Sequence, residues 1–387
     1  MYPQMDYPFE IGPIRPPSEA HSLLVRVSRN CPWNRCAFCP VYKGTRFSIR
    51  EVEEVQQDIR NMGALADELR EASSRLDPES QGELSWALIR QAGASPLFSP
   101  GASQVAVFLA EGGRNVFLQD ANSLVMKPDK LVAVLETLSE VFPTVQRITS
   151  YARAHTITRR KPEDLQRLRE AGLNRIHIGL ESGSDAVLEL VQKGLVAQRH
   201  IEAGLAVKAA GMELSEYLMP GLGGRDLWRE HATESARVLS AMDPHFIRLR
   251  TTAVAPGTEL EDLVADGKMV PMDDEEVVEE IRLFLEQLDC TSRLQSDHTL
   301  NLLVELDGQL PEDKGRLLQI IDRFQKMPLR MRRAFIIGRR AGGYVNTVAD
   351  MENPTLRDRA LELYDRVEEQ YGDDFDGAVR DLMSRFV

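Results

Sequence analysis

The chain has 387 residues, 43% of them hydrophobic and 28% charged, with a net charge of −13. That balance places it among folded globular proteins, with room for one large α/β domain and a smaller one, and excludes a disordered chain. No apolar run reaches the roughly 18 residues of a membrane span, and so acidic a chain is not expected to bind nucleic acid in bulk, which needs clustered Lys and Arg.

Residues 1–20 are rich in Pro and Tyr and read as an irregular arm. The opening MYPQMDYPFEIGP has neither the basic nor the apolar region of a secretory signal, so the expected compartment is the cytoplasm. Ser22–Ser28 (SLLVRVS) alternates and reads as a strand, and a cysteine-bearing segment follows it directly. From Ile49 to about Ser73, apolar residues recur at helical spacing: Val52, Val55, Ile59, Met62, Leu65 and Leu69. Residues 74–104 are weakly patterned, and Ala102–Ala110 reads as a second helix, so 49–112 forms a helical elaboration.

From there strands and helices alternate. Strands are expected at Asn115–Gln119, Arg147–Tyr151, Arg175–Leu180, Glu213–Met219 and Phe246–Thr251. Helices are expected at Lys127–Phe142, Pro162–Ala171, Asp185–Gln192, Arg199–Ala210 and Asp226–Met242. Repeated β–α alternation implies parallel strands joined by right-handed crossovers. The predicted fold class is α/β, a partial (β/α)6 barrel over residues 21–256 with a mostly helical C-terminal domain at 257–387. Sites on such sheets lie at the carboxyl ends of the strands. In the tail, helices are predicted at Asp274–Leu288, Leu294–Leu303, Glu312–Gln325, Thr355–Gln370 and Phe375–Phe386. Arg330, Arg332, Arg333, Arg339 and Arg340 crowd one segment; they read as a local basic groove or, more plainly, as a solvated face or helix-end charges.

Three of the four cysteines fall within nine residues, Cys31-Pro-Trp-Asn-Arg-Cys36-Ala-Phe-Cys39, while Cys290 stands alone. A disulfide framework spreads its cysteines, so this cluster points to a metal site in a reducing compartment. Three thiolates on one tight loop can hold three corners of a [4Fe–4S] cubane and leave the fourth iron open for a chelating small molecule. Zinc is the first competing reading, but it wants a fourth ligand and no second Cys-x-x-Cys exists. Buried structural cysteines are the second.

The phrase NCPWNRCAFCPVYKGTRF resembles the cluster loop of the radical S-adenosylmethionine superfamily. It has four residues between the first two cysteines rather than the common three, and is similar to a poorly characterised branch with that spacing. The resemblance continues in order through IRPPSEAHSLLVRV, NVFLQDANSLVMKPDKL, HIGLESGSDAVLELVQKG and GLGGRDLWREHA, covering about residues 15–260. It implies a [4Fe–4S] cluster on Cys31, Cys36 and Cys39, with S-adenosylmethionine (SAM) on the open iron. It also implies places for SAM at the strand ends. Gln119 and Asp120 stand where the superfamily often has a Gly-Gly-Glu for the methionine amino group. A turn or cap aspartate is the competing reading of Asp120. Glu181 stands where relatives bind the ribose hydroxyls, and Lys193 where a cation holds the methionine carboxylate, or else is an ordinary surface lysine. Ser150 and Tyr151 would face the same mouth, and Gly221, Gly223 and Thr251 would approach the adenine by backbone.

The implied activity is reductive cleavage of SAM to a 5′-deoxyadenosyl radical, which takes hydrogen from an unidentified substrate. Trp33 and Phe38 would help exclude water. The expected partners are that substrate and an electron donor such as flavodoxin or ferredoxin, with no membrane; whether the class is oxidoreductase or transferase stays open. Candidates for the substrate side are Arg248 and Arg250, two apart on one strand face, and Asp297, His298 and Asn301 in the tail. Two other functions remain: a non-catalytic haem or iron–sulfur carrier that keeps the loop, and, among enzymes, a tetrapyrrole-modifying oxidase.

Overall fold

A computed structural model describes residues 7–86, 89, 100–372 and 374–383. The first six residues of the expected arm, part of the 74–104 elaboration and the end of the predicted Phe375–Phe386 helix lie outside the described residues. Among the described residues there are ten strands: β1 (Leu23–Arg26), β2 (Ser28–Arg29), β3 (Ser48–Ile49), β4 (Asn115–Gln119), β5 (Arg147–Tyr151), β6 (Leu173–Glu181), β7 (Glu213–Leu218), β8 (Phe246–Leu249), β9 (Arg293–Gln295) and β10 (Gly308–Gln309). Eight of them form one sheet in the order β1-β4-β5-β6-β7-β8-β9-β10. The pairs β1–β4, β4–β5, β5–β6, β7–β8 and β8–β9 are parallel, and β9–β10 is antiparallel. The architecture is therefore the predicted partial barrel of mostly parallel strands, lengthened by β9 and an antiparallel edge strand.

The chain folds into two compact units that interleave in sequence. The first holds residues 1–34, 41–178 and 206–214; the second holds 35–40, 179–205 and 215–387.

The first unit carries α1 (Val52–Leu76), α2 (Pro100–Ala110), α3 (Pro128–Val141), the single turn α4 (Ala154–Ile157) and α5 (Pro162–Glu170). The stripe predicted on α1 is buried: Val52, Val55, Ile59, Met62, Leu65 and Leu69 all face the core. Gly63 lets α1 approach α3, because a Cβ there would stand 2.4 Å from Val141 Cγ1. β2 and β3 pair antiparallel, Ser28 with Ile49 and Arg29 with Ser48, and so close the base of the segment that bears the cysteines.

The second unit carries α6 (Asp185–Leu190), most of α7 (Ala197–Ala209), α8 (Gly224–Met242), α9 (Glu259–Ala265), α10 (Asp274–Gln287), α11 (Lys314–Gln325), α12 (Leu329–Arg340), α13 (Pro354–Tyr371) and α14 (Phe375–Met383). α10 starts on a capping box in which Asp273 and Glu276 satisfy each other's backbone N–H groups. An apolar cluster of Val187, Val191, Met219, Leu222, Leu260 and Met269 includes Ala37 of the cysteine segment, with Phe38 packed against it. Both backbone groups of Ala37 are engaged: its N–H donates to Val191 O at 2.9 Å, and its carbonyl accepts from Leu260 N at 2.9 Å.

The tail departs from prediction at one place. Residues 294–303 do not form the expected helix. Leu294 is fully buried and sits in register with Ile247 of β8 and Gly308 of β10, so its backbone bonds lie in the sheet; turns follow. α9 and α12 were not resolved by the sequence pattern as separate helices.

The Ala37 anchor generates a prediction. Leu at this position inserts bulk into a closed apolar cluster beside two backbone bonds, at a cost of about 1–3 kcal/mol. Urea unfolding of Ala37→Leu will show a lowered midpoint at unchanged slope.

Candidate functional site

The cysteine segment turns sharply at two asparagines, Asn30 (φ 68°) and Asn34 (φ 48°), both in the left-handed region that Asn tolerates better than most residues. Each is tied down by its side-chain amide: Asn30 Nδ2 donates to Arg46 O at 2.6 Å, and Asn34 Nδ2 to Tyr42 O at 2.5 Å. Asn34 N–H points at Cys31 Sγ at 3.5 Å, a contact suited to a thiolate. Cys39 N–H donates to Cys36 O at 3.2 Å, closing a turn. All three loop cysteines are half-buried, and none of the four cysteines is in a disulfide, whereas Cys290 is buried and burial pushes its thiol pKa up. Among the described residues no three His, Cys, Asp or Glu side chains converge as ligands of one metal ion, the arrangement zinc requires. Thiolates of a cubane bind separate irons and need not converge in that way.

In the first unit the carboxyl ends of β1, β4 and β5 lie on one edge of the sheet, because these strands run parallel. Asp120, just past β4, is completely buried and fully engaged. Arg26 reaches its Oδ2 at 2.6 Å, Asn30 N–H donates to the same oxygen at 3.2 Å, and Tyr42 Oη donates to Oδ1 at 2.9 Å. Burial and then the Asp120 charge raise the Tyr42 phenol above its ordinary range, so it stays a donor. Gln119 is also consumed: its side chain accepts from Gly12 N at 2.8 Å and donates to Ile14 O at 2.6 Å, binding the N-terminal arm across the end of β4. Gly12 has to be glycine, since a Cβ would meet Asp120 Oδ1 at 2.4 Å. Ser150 is buried, with its hydroxyl on Tyr151 O at 3.0 Å, and the Tyr151 ring meets Phe117 edge-on at 5.0 Å. The Arg153 guanidinium stacks on Trp33, 4.9 Å from the ring centroid.

In the second unit the end of β6 explains the Gly-Leu-Glu-Ser-Gly-Ser phrase residue by residue. Glu181 adopts φ 64°, and its carboxylate folds back over Gly179, where a Cβ would lie 2.0 Å from Glu181 Oε1. There it pairs with Lys193 Nζ at 3.0 Å, both side chains nearly buried. Ser182 Oγ accepts from Ser184 N at 3.0 Å. Gly183 packs directly on α8, since a Cβ would stand 2.4 Å from the backbone oxygen of Glu234. Ser184 caps α6 by accepting from Val187 N at 3.2 Å, and its hydroxyl donates to Glu230 at 2.6 Å. Lys193 Nζ also lies 5.9 Å from the centroid of Phe38, the aromatic residue inside the cysteine segment.

Glu216 on β7 is completely buried, with the Leu180 backbone as its hydrogen-bonding neighbour. Burial first, and the Glu181 charge second, push its pKa well above the usual carboxylate range, against an opposing pull from Lys193. Gly221, φ 86°, follows β7 and donates its N–H to Glu280 of α10 at 3.0 Å; Gly223 lies against His231 of α8, where a Cβ would be 3.2 Å from His231 Cβ.

At the end of β8, Arg248 is buried and paired with Asp297, while Arg250 is exposed beyond the strand. Thr251 N–H and hydroxyl both donate to Asn301 Oδ1, at 2.8 and 3.1 Å, and Asn301 Nδ2 donates to Leu249 O at 2.8 Å. Asn301 thus holds the strand end and is fully used by backbone and Thr251. His298 is pushed down from the ordinary 6.5 to about 4 by burial and then by Arg250. The five arginines of the tail, on α12, each meet a partner within the chain: exposed Arg330 meets Asp365, Arg332 meets Glu275, Arg340 meets Asp274, Arg339 bonds Asn301 O at 3.1 Å and Arg333 stacks on Phe375.

Sequence reasoning missed Arg26, Tyr42, His231, Glu280 and Glu216. Arg26 sits in the alternating pattern of its strand, and Glu280 reads as one of many helix-surface carboxylates, so neither carries a local signal.

Residues 103–235 match the family model of the Radical SAM superfamily. Over that span, 133 of its 387 residues, the chain is similar to the radical SAM superfamily. The matched span begins after the cysteine segment. Among curated proteins, it is 25% identical over 161 residues to a tRNA uridine(34) acetyltransferase of Methanocaldococcus jannaschii, an alignment covering 40% of this chain and 29% of that protein. It is 29% identical over 115 residues to the enzyme of the same name from Dehalococcoides mccartyi, covering 28% of this chain and 24% of that protein. The chain therefore spans less than a third of these curated relatives. Among solved structures, coproporphyrinogen III oxidase from Escherichia coli superposes with a TM-score of 0.41 at 15% identity, covering 69% of this chain and 52% of that one. No helix among the described residues is long and apolar enough to cross a membrane.

Two predictions follow from the geometry. Asp120→Ala removes the carboxylate that Arg26, Tyr42 and Asn30 share; Arg26 keeps its pair with Glu10 at 2.7 Å, so the cost is that of the buried donors left unsatisfied, about 1–3 kcal/mol. Denaturant unfolding checks that loss. His298 stays neutral in the fold while the unfolded chain takes up a proton below about 6.5. Between pH 6.5 and 4 the unfolded state therefore binds more protons, and stability falls as pH falls, by on the order of 2 kcal/mol from this group. The slope of unfolding free energy against pH in that window will be shallower in His298→Gln.

Proposed function

We propose that this protein is a radical SAM enzyme in which Cys31, Cys36 and Cys39 hold three irons of the cluster. The reading rests above all on one juxtaposition. The Glu181–Lys193 pair, at the carboxyl end of a barrel strand, has its ammonium 5.9 Å from the ring of Phe38, which lies between Cys36 and Cys39. The residues present suit the cofactors. The three cysteines are half-buried and outside any disulfide, the loop backbone is anchored at Ala37, and a carboxylate and an ammonium stand beside it.

When bound, the cofactors supply one-electron cleavage of the sulfonium C–S bond, with methionine and a 5′-deoxyadenosyl radical as products. The remaining tasks fall to this chain. Glu181 accepts two ribose hydroxyls, which a carboxylate does at once. Lys193 meets the methionine carboxylate as a point charge. Ala37 and Phe38, packed on the apolar cluster, help to keep water from that side. Asp120 is taken up by Arg26, Tyr42 and Asn30, so its task in this reading is to hold the loop. Gly221, Gly223 and Thr251 offer backbone to the adenine, and Ser150 and Tyr151 line the end of β5. Arg250 and His298 face the substrate side, with an acidic electron-transfer protein such as flavodoxin or ferredoxin as reductant. The curated relatives are named for action on tRNA. In this chain the tail arginines are spent on internal partners, so the substrate class is left open.

Anaerobic protein reconstituted with iron and sulfide and given dithionite and SAM is expected to release 5′-deoxyadenosine. Cys36→Ala will fall to the level of a protein-free control. Equal yields from the two proteins would overturn the reading. A carrier protein would keep its cluster yet show no SAM uptake in a binding titration.

A further inference from the structure

His231 lies in α8 and Glu280 in α10, and both are buried. Their side chains form an ion pair, Nδ1 to Oε1, at 2.5 Å. The other ring nitrogen of His231 reaches the backbone carbonyl of Glu181 at 3.1 Å, and the other oxygen of Glu280 accepts Gly221 N–H at 3.0 Å. Each ring nitrogen thus lies against an oxygen, a setting that suits a positively charged ring. Burial opposes that charge, but the Glu280 carboxylate and the two hydrogen bonds outweigh it and raise the His231 pKa.

This chain of contacts joins the turn after β6 to the turn after β7. Glu181 has a left-handed backbone that an L residue adopts only when the surroundings impose it. Its carbonyl accepts twice, from His231 and from Met219 N–H at 3.0 Å. The same helix α8 holds the following residues, with Ser235 Oγ accepting Gly183 N–H at 2.8 Å and Glu230 accepting the Ser184 hydroxyl.

We propose that His231 and Glu280 are positioning residues for SAM, a buried bracket that holds Glu181 in the backbone conformation that aims its carboxylate over Gly179 and fixes the Gly221 turn beside it. The inference rests on the reading of Glu181 as a SAM ligand. The bracket touches neither cofactor nor substrate; it acts through the Glu181 carbonyl and the Gly221 amide. An ion pair bought at the cost of desolvating two charges adds little net stability, whereas it does define a geometry.

The test measures SAM affinity by equilibrium dialysis on the full-length, cluster-reconstituted protein. His231→Leu is expected to weaken binding about tenfold or more, the scale on which losing an orienting partner acts on a ligand. His231→Gln, which keeps an N–H toward the Glu181 carbonyl, is expected to recover most of that loss. Because Leu at 231 strands Glu280, the double variant His231→Leu/Glu280→Leu removes the bracket without an unpaired charge and serves if the single variant does not fold. In a Glu181→Ala background, removing the bracket is expected to cost much less affinity than in the native protein, leaving only the part that acts through Gly221. Additive losses there would mean a general structural role and overturn the inference. Unchanged affinity in the His231 variants, with Glu181→Ala weakened, would overturn the bracket and leave the Glu181 reading standing. Unchanged affinity in Glu181→Ala would overturn both.

Discussion

A segment without secondary structure must give its backbone polar groups other partners, and at Ala37 the cysteine segment gives both to neighbouring loops. Its N–H goes to Val191 and its carbonyl receives Leu260, while its methyl group closes an apolar cluster. Ala is the residue type that permits this. A larger side chain would hold the loop off the cluster, and Gly would leave it conformationally loose. The two cysteines that flank this point, Cys36 and Cys39, therefore take their placement from a packed core rather than from a flexible loop. A ligand site on rigid support keeps its geometry between cofactor binding events. Within the first unit the same segment is held by a different device, the buried Asp120 carboxylate, which collects Tyr42, the Asn30 amide and Arg26. Each contact is charge-assisted and directional, so the cluster specifies one arrangement of the loop more than it adds stability.

The sequence showed the barrel well because its strands are local facts. Asn115–Gln119 and Arg147–Tyr151 are short apolar runs between turn residues, and they form strands at those bounds. Glu181-Ser-Gly-Ser was legible for a similar reason. Ser184 is a cap and Gly183 a point of close approach, both of which follow from residue type. The helix expected at 294–303 failed because Leu294, Leu300, Leu302 and Leu303 are all buried and fit a helical stripe as well as a strand followed by turns. Short apolar segments do not separate the two, and here the free edge of β8 decided it.

Other features were illegible because they are made by tertiary contact. Asp120 looked like an available acceptor, since nothing near it in the chain marks Arg26 and Tyr42 as its partners. His231 and Glu280 lie on separate helices, and either alone reads as an ordinary helix residue. The basic segment of α12 was ambiguous for the same cause. Its carboxylate partners, Asp274, Glu275 and Asp365, come from α10 and α13, so the arginines build the helical layer of the second unit. The net charge of −13 is compatible with a dense arginine run, because over the whole chain 60 acidic residues stand against 47 Lys and Arg.

The electrostatics around Glu181 bear on how a zwitterion would enter. Glu181 and Lys193 satisfy each other at 3.0 Å, so the site is neutral as it stands. Burial and the neighbouring Glu181 charge push the Glu216 carboxyl well above the usual carboxylate range, which disfavours a second anion beside Lys193. A ligand carrying a carboxylate and two vicinal hydroxyls can take both members of the pair at once, the ammonium by the carboxylate and the freed carboxylate by the hydroxyls. Neither charge is then left buried and unpaired, the condition that makes breaking such a pair costly. A ligand with only one of those groups leaves the other partner stranded. Discrimination in favour of the whole molecule over its fragments follows from the pair itself, provided the Glu181 backbone stays where it is held.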